Sequence, residues 1–145
     1  MKGSTKITNG TEVLYKEEFQ NSSIENTTVE VNSDMEDSYI YIRHNGSLER
    51  LRCSTICYLE AIGSYCNLYM SDNKKMMIPK SLGEIIDSLP VDTFIRVHRS
   101  YVINIDYVEK YVSNTFYIYE ATIPIGRAYK KDALSHFNIV SKTIL

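Results

Sequence analysis

The sequence has no tryptophan and only three cysteines, and no part of it approaches the roughly 18 consecutive apolar residues that a membrane-spanning helix needs. A helical membrane protein is therefore not expected. The opening residues, MKGSTKITNGTEVLYKEEF, lack the apolar centre of a secretory signal, which points to a cytoplasmic chain. Cys53, Cys57 and Cys66 are an odd count, and they include no Cys-x-x-Cys pair. There is no His-x-x-x-His pair either, so reduced thiols are expected and a zinc site is not. Asn-x-Ser/Thr triplets begin at Asn9, Asn21, Asn26 and Asn45. They would mark glycosylation in a secreted chain; here they read as chance in a sequence rich in Asn, Ser and Thr.

Catalytic signatures are missing too. There is no glycine-rich phosphate loop and no nucleophile elbow. The histidines are His44, His98 and His136. A nucleophilic pair of Cys66 with His98 stays open on sequence alone, with no supporting signature around it. The acids are scattered, and no two are placed for acid–base work. The chain reads as non-enzymatic, with no cofactor and no metal.

What is present suits one globular domain. The chain has 145 residues, 43% hydrophobic and 23% charged, with 12 tyrosines. Tyrosine joins an apolar body to a polar tip, which suits half-buried strands and wet surfaces. The net charge of −2 conceals a division. Residues 1–38 carry three lysines against eight acids, a balance of −5. Residues 39–145 carry 13 basic and 10 acidic residues, a balance of +3. The first part is polar and thinly apolar, so it reads as a flexible acidic arm, in which TTVEVN alternates well enough to add an edge strand.

The basic part reads as mainly β. Tyr39, Tyr41 and Arg43 alternate with Ile40 and Ile42, and Asn45-Gly46 supplies a tight hairpin turn before a second strand through LERLR. Two strands flank Gly63, and another follows SDN. One helix is sharply marked in SLGEIIDSLP. Ser81 and Glu84 have capping-box spacing; Leu82, Ile85, Ile86 and Leu89 form one stripe; Pro90 stops it. Short strands then run through FIRVHRSYVIN, YVEKYV, FYIY and TIPI, with Pro124 requiring an edge or a strand end. In GRAYKKDALSHFNIV, the spacing of Ala128, Leu134 and Phe137 predicts a C-terminal helix, with Arg127, Lys130 and Lys131 at its start. In FIRVHRSYVIN, Phe94, Val97, Tyr101 and Val102 are expected in the core. Basic residues beside aromatic and polar ones at loop positions are what nucleic-acid recognition requires.

The order of motifs is more specific than the composition. ICYLEAIGSYCNLYM is followed by IPKSLGEIIDSLPVDTFIRVHRSYVINIDYVEKY and then by IPIGRAY. Together these closely resemble the LytTR family of bacterial DNA-binding domains. The matching elements are Glu60; Ser81-Leu82 with Glu84; Phe94, Arg96, His98 and Ser100 with Asn104; and Ile123-Pro124 with Arg127. The resemblance covers roughly residues 39–140, and makes 39–145 the DNA-binding domain.

The resemblance implies a fold of short, mostly antiparallel strands with little helix. It also implies a transcription regulator that reads double-stranded DNA through loops in successive major grooves. The implied base contacts are Asn67, Arg99 and Arg127. Ser64, Tyr65 and Cys66 complete the first DNA-binding loop. Lys80, Lys130 and Lys131 are the candidate phosphate contacts, and Arg96 and His98 the expected braces. Paired sites and two copies meeting on DNA are implied as well. The arm is too short for the receiver domain that such regulators often carry, so the signal input is expected to be missing from this chain or supplied by a partner. An alternative stays open: a protein-interaction module that kept the fold and lost DNA binding. The acidic arm and the modest positive charge of the rest suit either.

Overall fold

The computed structural model describes residues 38–141, which lie within one compact unit, Asp37–Leu145. The acidic segment 1–37, with its TTVEVN stretch, falls outside the described residues.

Among the described residues are ten strands, two short α-helices and three 3₁₀ turns. β1 (Tyr39–His44) and β2 (Ser47–Arg52) form a two-stranded ribbon. Its turn is built by Asn45 and Gly46, at φ 49° and 80°. Both angles are left-handed, as a twist-matched two-residue hairpin turn requires, and an Asn-Gly pair adopts them at low cost. β3 (Ile56–Ile62), β4 (Tyr65–Met70) and β5 (Lys75–Ile78) form a meander. They join β6 (Phe94–His98) and β7 (Tyr101–Asn104) in a five-stranded sheet of order β5-β4-β3-β7-β6. β8 (Lys110–Val112), β9 (Thr115–Ile118) and β10 (Ala121–Pro124) make a third sheet of order β10-β9-β8. Every pairing is antiparallel. Pro124 ends β10, which is an edge strand, where a missing N–H does no damage.

The central sheet is buried on both faces because its strands alternate. Leu59, Cys66, Leu68, Phe94 and Val102 look one way, toward Ile40 and Ile42 of the ribbon and toward α1 (Leu82–Ile86). Cys57, Ile95, Val97 and Ile103 join a second core with Phe116, Ile118, Ile123 and Ile125 of the third sheet and Ala133 of α2 (Lys130–Leu134). Each fully buried Leu, Ile or Val here removes enough apolar area from water to stabilise the fold by about 1.5–3 kcal/mol.

α1 begins as its sequence predicts. The Ser81 hydroxyl accepts from the Glu84 N–H at 3.2 Å, and the Glu84 carboxylate accepts from the Ser81 N–H at 2.9 Å. Those hydrogen bonds hold the Glu84 carboxyl below its usual range. Leu82, Ile85 and Leu89 are buried, with Ile86 packed beside them. The C-terminal helix forms where the sequence predicts it. It is one turn of α-helix after a 3₁₀ turn, Arg127–Tyr129. Ala128 is exposed, and the small residue facing the core is Ala133. Leu134 and Phe137 pack against the second core as their spacing predicts, whereas Ala128 lies in the tighter 3₁₀ turn and faces outward.

Asn104 is buried to 1% exposure, and both polar atoms of its amide are hydrogen-bonded. Nδ2 donates to the Ile56 carbonyl at 2.9 Å, and Oδ1 accepts from the Asp106 N–H at 2.9 Å. The side chain thus ends β7 and starts the Ile105–Tyr107 3₁₀ turn. Asn104→Ala should lose about 2–3 kcal/mol in urea unfolding, because two backbone groups are left without partners.

All three cysteines are buried. Burial pushes the Cys57 and Cys66 thiols up to about 11, so neither is a thiolate near neutral pH. The reactive pair of Cys66 with His98 therefore lacks its nucleophile. A maleimide titration at pH 7 should label none of Cys53, Cys57 and Cys66 in the native chain, and all three once it is unfolded.

Candidate nucleic-acid interface

Antiparallel pairing fixes which loops share an end of the central sheet. β3, β5 and β6 all run the same way. β3 ends at Ile62 and turns back at Gly63-Ser64; β6 ends at His98 and turns back at Arg99-Ser100; β5 ends at Ile78, two residues before Lys80. The two turns are joined directly, because the Ala61 N–H donates to the Ser100 carbonyl at 2.9 Å. The closing segment is tied to the same place. The Gly126 N–H donates to the Val97 carbonyl at 2.7 Å, which sets the Arg127–Tyr129 turn against the end of β6. Gly126 suits so close an approach. A Cβ there would stand 3.2 Å from the Tyr129 ring and 3.7 Å from the His98 backbone. Ser64, Tyr65, Lys80, Arg99 and Arg127 thus belong to one end of the sheet, and Lys130 and Lys131 follow directly in α2.

The turn that carries Arg99 is held from beneath. Arg96 Nε donates to the His98 carbonyl at 2.8 Å, and a terminal nitrogen donates to the Arg99 carbonyl at 2.5 Å. The Arg96 guanidinium also stands 5.9 Å from the centre of the Tyr129 ring. His98 Nδ1 accepts the Ser100 N–H at 3.0 Å, which places any single ring proton on Nε2. Arg96 and His98 are half-buried, whereas Arg99 and Arg127 are exposed. Neither of those two guanidinium groups has an ion-pair partner among the described residues. The exposed ammonium groups of Lys80, Lys130 and Lys131 likewise have none there.

The hairpin between β3 and β4 corrects the sequence expectation. Its turn is Gly63-Ser64, with Gly63 at φ 60°. Ser64 and Tyr65 are exposed. Cys66 is fully buried and Asn67 is 5% exposed, both inside β4. Asn67 pairs with Glu60 on one side and Met77 on the other. Its Nδ2 donates to the Tyr69 hydroxyl at 3.4 Å, while Oδ1 is buried with no hydrogen-bond partner among the described residues. A side chain so placed cannot touch a base unless β4 opens, and the Cys66 thiol faces the core. The tight turn could have revealed this: with Ile62 opposite Tyr65, Cys66 and Asn67 fall opposite Ala61 and Glu60, already in the ladder.

A feature that sequence reasoning missed lies beside that hairpin. The Glu60 carboxylate accepts from the Tyr69 hydroxyl at 2.9 Å and from the Tyr101 hydroxyl at 3.1 Å. Both phenols are raised above their ordinary pKa, first by burial and then by the hydrogen bond to Glu60, so they remain donors. Tyr58 stacks on Tyr69 at 4.4 Å between ring centres. Glu60 is visible in the sequence as a lone acid in an apolar strand, but its partners lie 9 and 41 residues away.

The chain matches the family model of the LytTr DNA-binding domain over residues 46–138. No curated protein matches it. Among solved structures it is similar to a LytTr DNA-binding domain from Bacillus cereus. The TM-score is 0.58 at 22% identity, covering 70% of this chain and 98% of that one. That likeness concerns the fold: the same mostly β, antiparallel architecture. With the family model spanning well over half its length, this chain belongs to the LytTR family of DNA-binding domains.

Proposed function

We propose that the chain is a sequence-specific, double-stranded DNA-binding transcription regulator that reads the major groove through loops. The observation that carries this reading is the pair of exposed arginines, Arg99 and Arg127, on segments joined by the Gly126–Val97 hydrogen bond. A guanidinium gives two parallel donors that match O6 and N7 of guanine, and the groove, about 12 Å wide, admits a tight turn. Arg99 and Arg127 are assigned to bases. Ser64 and Tyr65 are assigned to the hairpin contact, in place of the buried Asn67. Lys80, Lys130 and Lys131 are assigned to phosphates. Arg96 and His98 hold the Arg99 turn, and neither reads a base.

The reading extends to the arrangement in use. Two copies occupy paired sites on the DNA of a cytoplasmic regulator. The chain carries out no reaction of its own.

Fluorescence anisotropy on a duplex selected from random DNA, and on a scrambled one, tests the assignment. Arg99→Ala and Arg127→Ala should each cost about 1–3 kcal/mol on the selected duplex and relax the base preference at one position. Equal losses on both duplexes would remove them as base readers. Lys130→Ala should weaken both duplexes alike and reduce the slope of log affinity against log salt by about 1. Absence of any salt-dependent DNA affinity, in the full chain and in residues 39–145 alike, would overturn the reading and favour a protein-interaction module.

A further inference from the structure

Glu60 stands near the end of β3, and one carboxylate links three strands there. It accepts the Tyr69 hydroxyl from β4 and the Tyr101 hydroxyl from β7, one on each oxygen. Tyr101 is the first residue after the Arg99-Ser100 turn. Its ring lies edge-on to His98, 5.6 Å between centres. His98 accepts from the Ser100 N–H, and Arg96 holds the carbonyls on either side of the turn, those of His98 and Arg99. An unbroken run of contacts therefore leads from β4, through Glu60, to the backbone of Arg99.

A carboxylate is a poor choice if the task is only to hold strands together. Part-buried charge loses hydration, and an apolar residue of similar size would pack at less cost. The sheet does this one step away, where Leu59 lies between Leu68 and Val102. What a carboxylate adds is direction, because hydrogen bonds depend on angle and apolar contacts do not. Direction matters at this place. β3 and β7 share only three paired positions, and Glu60–Tyr101 is the last before the turn.

We propose that Glu60 is a positioning residue for base recognition: through Tyr101 it sets the angle at which the Arg99 turn meets DNA, and through Tyr69 it ties that turn to the β3–β4 hairpin. This rests on the DNA-reading function proposed above. The quantity at stake is the ratio of affinities for the correct and an incorrect sequence. Phosphate contacts carry no sequence information, so affinity for random DNA is spared.

The test uses the full chain. The wild type, Glu60→Gln, Tyr101→Phe, Arg99→Ala and the double variant Glu60→Gln/Arg99→Ala are titrated with a duplex selected by the wild type from a random pool, and with a scrambled duplex. Thermal midpoints are measured in parallel. Glu60→Gln and Tyr101→Phe should each lower the selected-to-scrambled ratio about tenfold, equivalent to about 1.4 kcal/mol. Scrambled-duplex affinity should stay within about twofold, as expected when phosphate contacts persist. Once Arg99 is alanine, Glu60→Gln should lower the ratio no further, because the two act through one contact. Tyr101→Phe keeps the packed ring and removes only the hydroxyl, so it carries the test if Glu60→Gln unfolds. An unchanged ratio in both variants, equal losses on both duplexes, or full additivity with Arg99→Ala would overturn the inference while leaving the DNA-reading function intact. A wild type that selects no sequence from the pool would overturn both.

Discussion

The three-position register between β3 and β7 is the joint on which the rest of this domain depends. Tyr58 faces Ile103, Leu59 faces Val102 and Glu60 faces Tyr101. It is the only ladder among the described residues that joins the β3–β5 meander to the β6–β7 hairpin. A slip of one residue would reverse every side chain of one partner. If β7 slips, Val102 would leave the first core, Ile103 would leave the second, and Glu60 would lose Tyr101. Because both faces of the sheet are covered, such a slip is penalised twice. The short ladder is specified more strongly than its length suggests, and Asn104 reinforces it by gripping the Ile56 carbonyl at the opposite end.

The same joint explains why residues distant in sequence gather at one end. β3 and β6 run in parallel directions because both lie antiparallel to β7. The turns that follow them therefore emerge side by side, linked by Ala61 and Ser100. The third sheet packs on the second core and delivers Gly126 to Val97, so Arg127 arrives at the end already occupied by Arg99. No loop has to be long to achieve this. A short, backbone-anchored turn has few conformations to lose on meeting a partner, which is the advantage of preorganisation.

Much of this was readable in the sequence, and the exceptions share a cause. The β1–β2 hairpin, the capping box of Ser81 and Glu84, the strand-ending Pro124 and the alternation through FIRVHRSYVIN are local rules, and each produced its element. The failures occurred where a local period meets a boundary it does not reveal. Ala128 looked like the start of the stripe that Leu134 and Phe137 continue, but it falls in a 3₁₀ turn ahead of α2 and is exposed, and the small core residue is Ala133. Asn67 looked like a loop residue, but the two-residue turn at Gly63-Ser64 closes early and draws Cys66 and Asn67 into the ladder. The tyrosine pair around Glu60 could not be read at all, because a cross-strand neighbour 41 residues away leaves no periodic trace.

The charge distribution bears on how such a site would discriminate. The 39–145 part carries a net +3, and five basic side chains lie at or beside one end of its central sheet: Lys80, Arg99, Arg127, Lys130 and Lys131. On the proposed reading, so small a set neutralises few phosphates at once, and the sequence-independent part of binding would be weak for each copy. A weak background favours selectivity, because a correct base contact is then a large share of the total. It also limits the residence of a single copy. On the proposed reading, two copies on adjacent sites would make up that deficit through effective concentration, without any added contact to DNA. The balance works only if each turn is held firmly, since rotational freedom in Arg99 or Arg127 would erode the few contacts that discriminate. The dense bracing by Arg96, His98, Gly126 and the Glu60–Tyr101 pair meets that requirement.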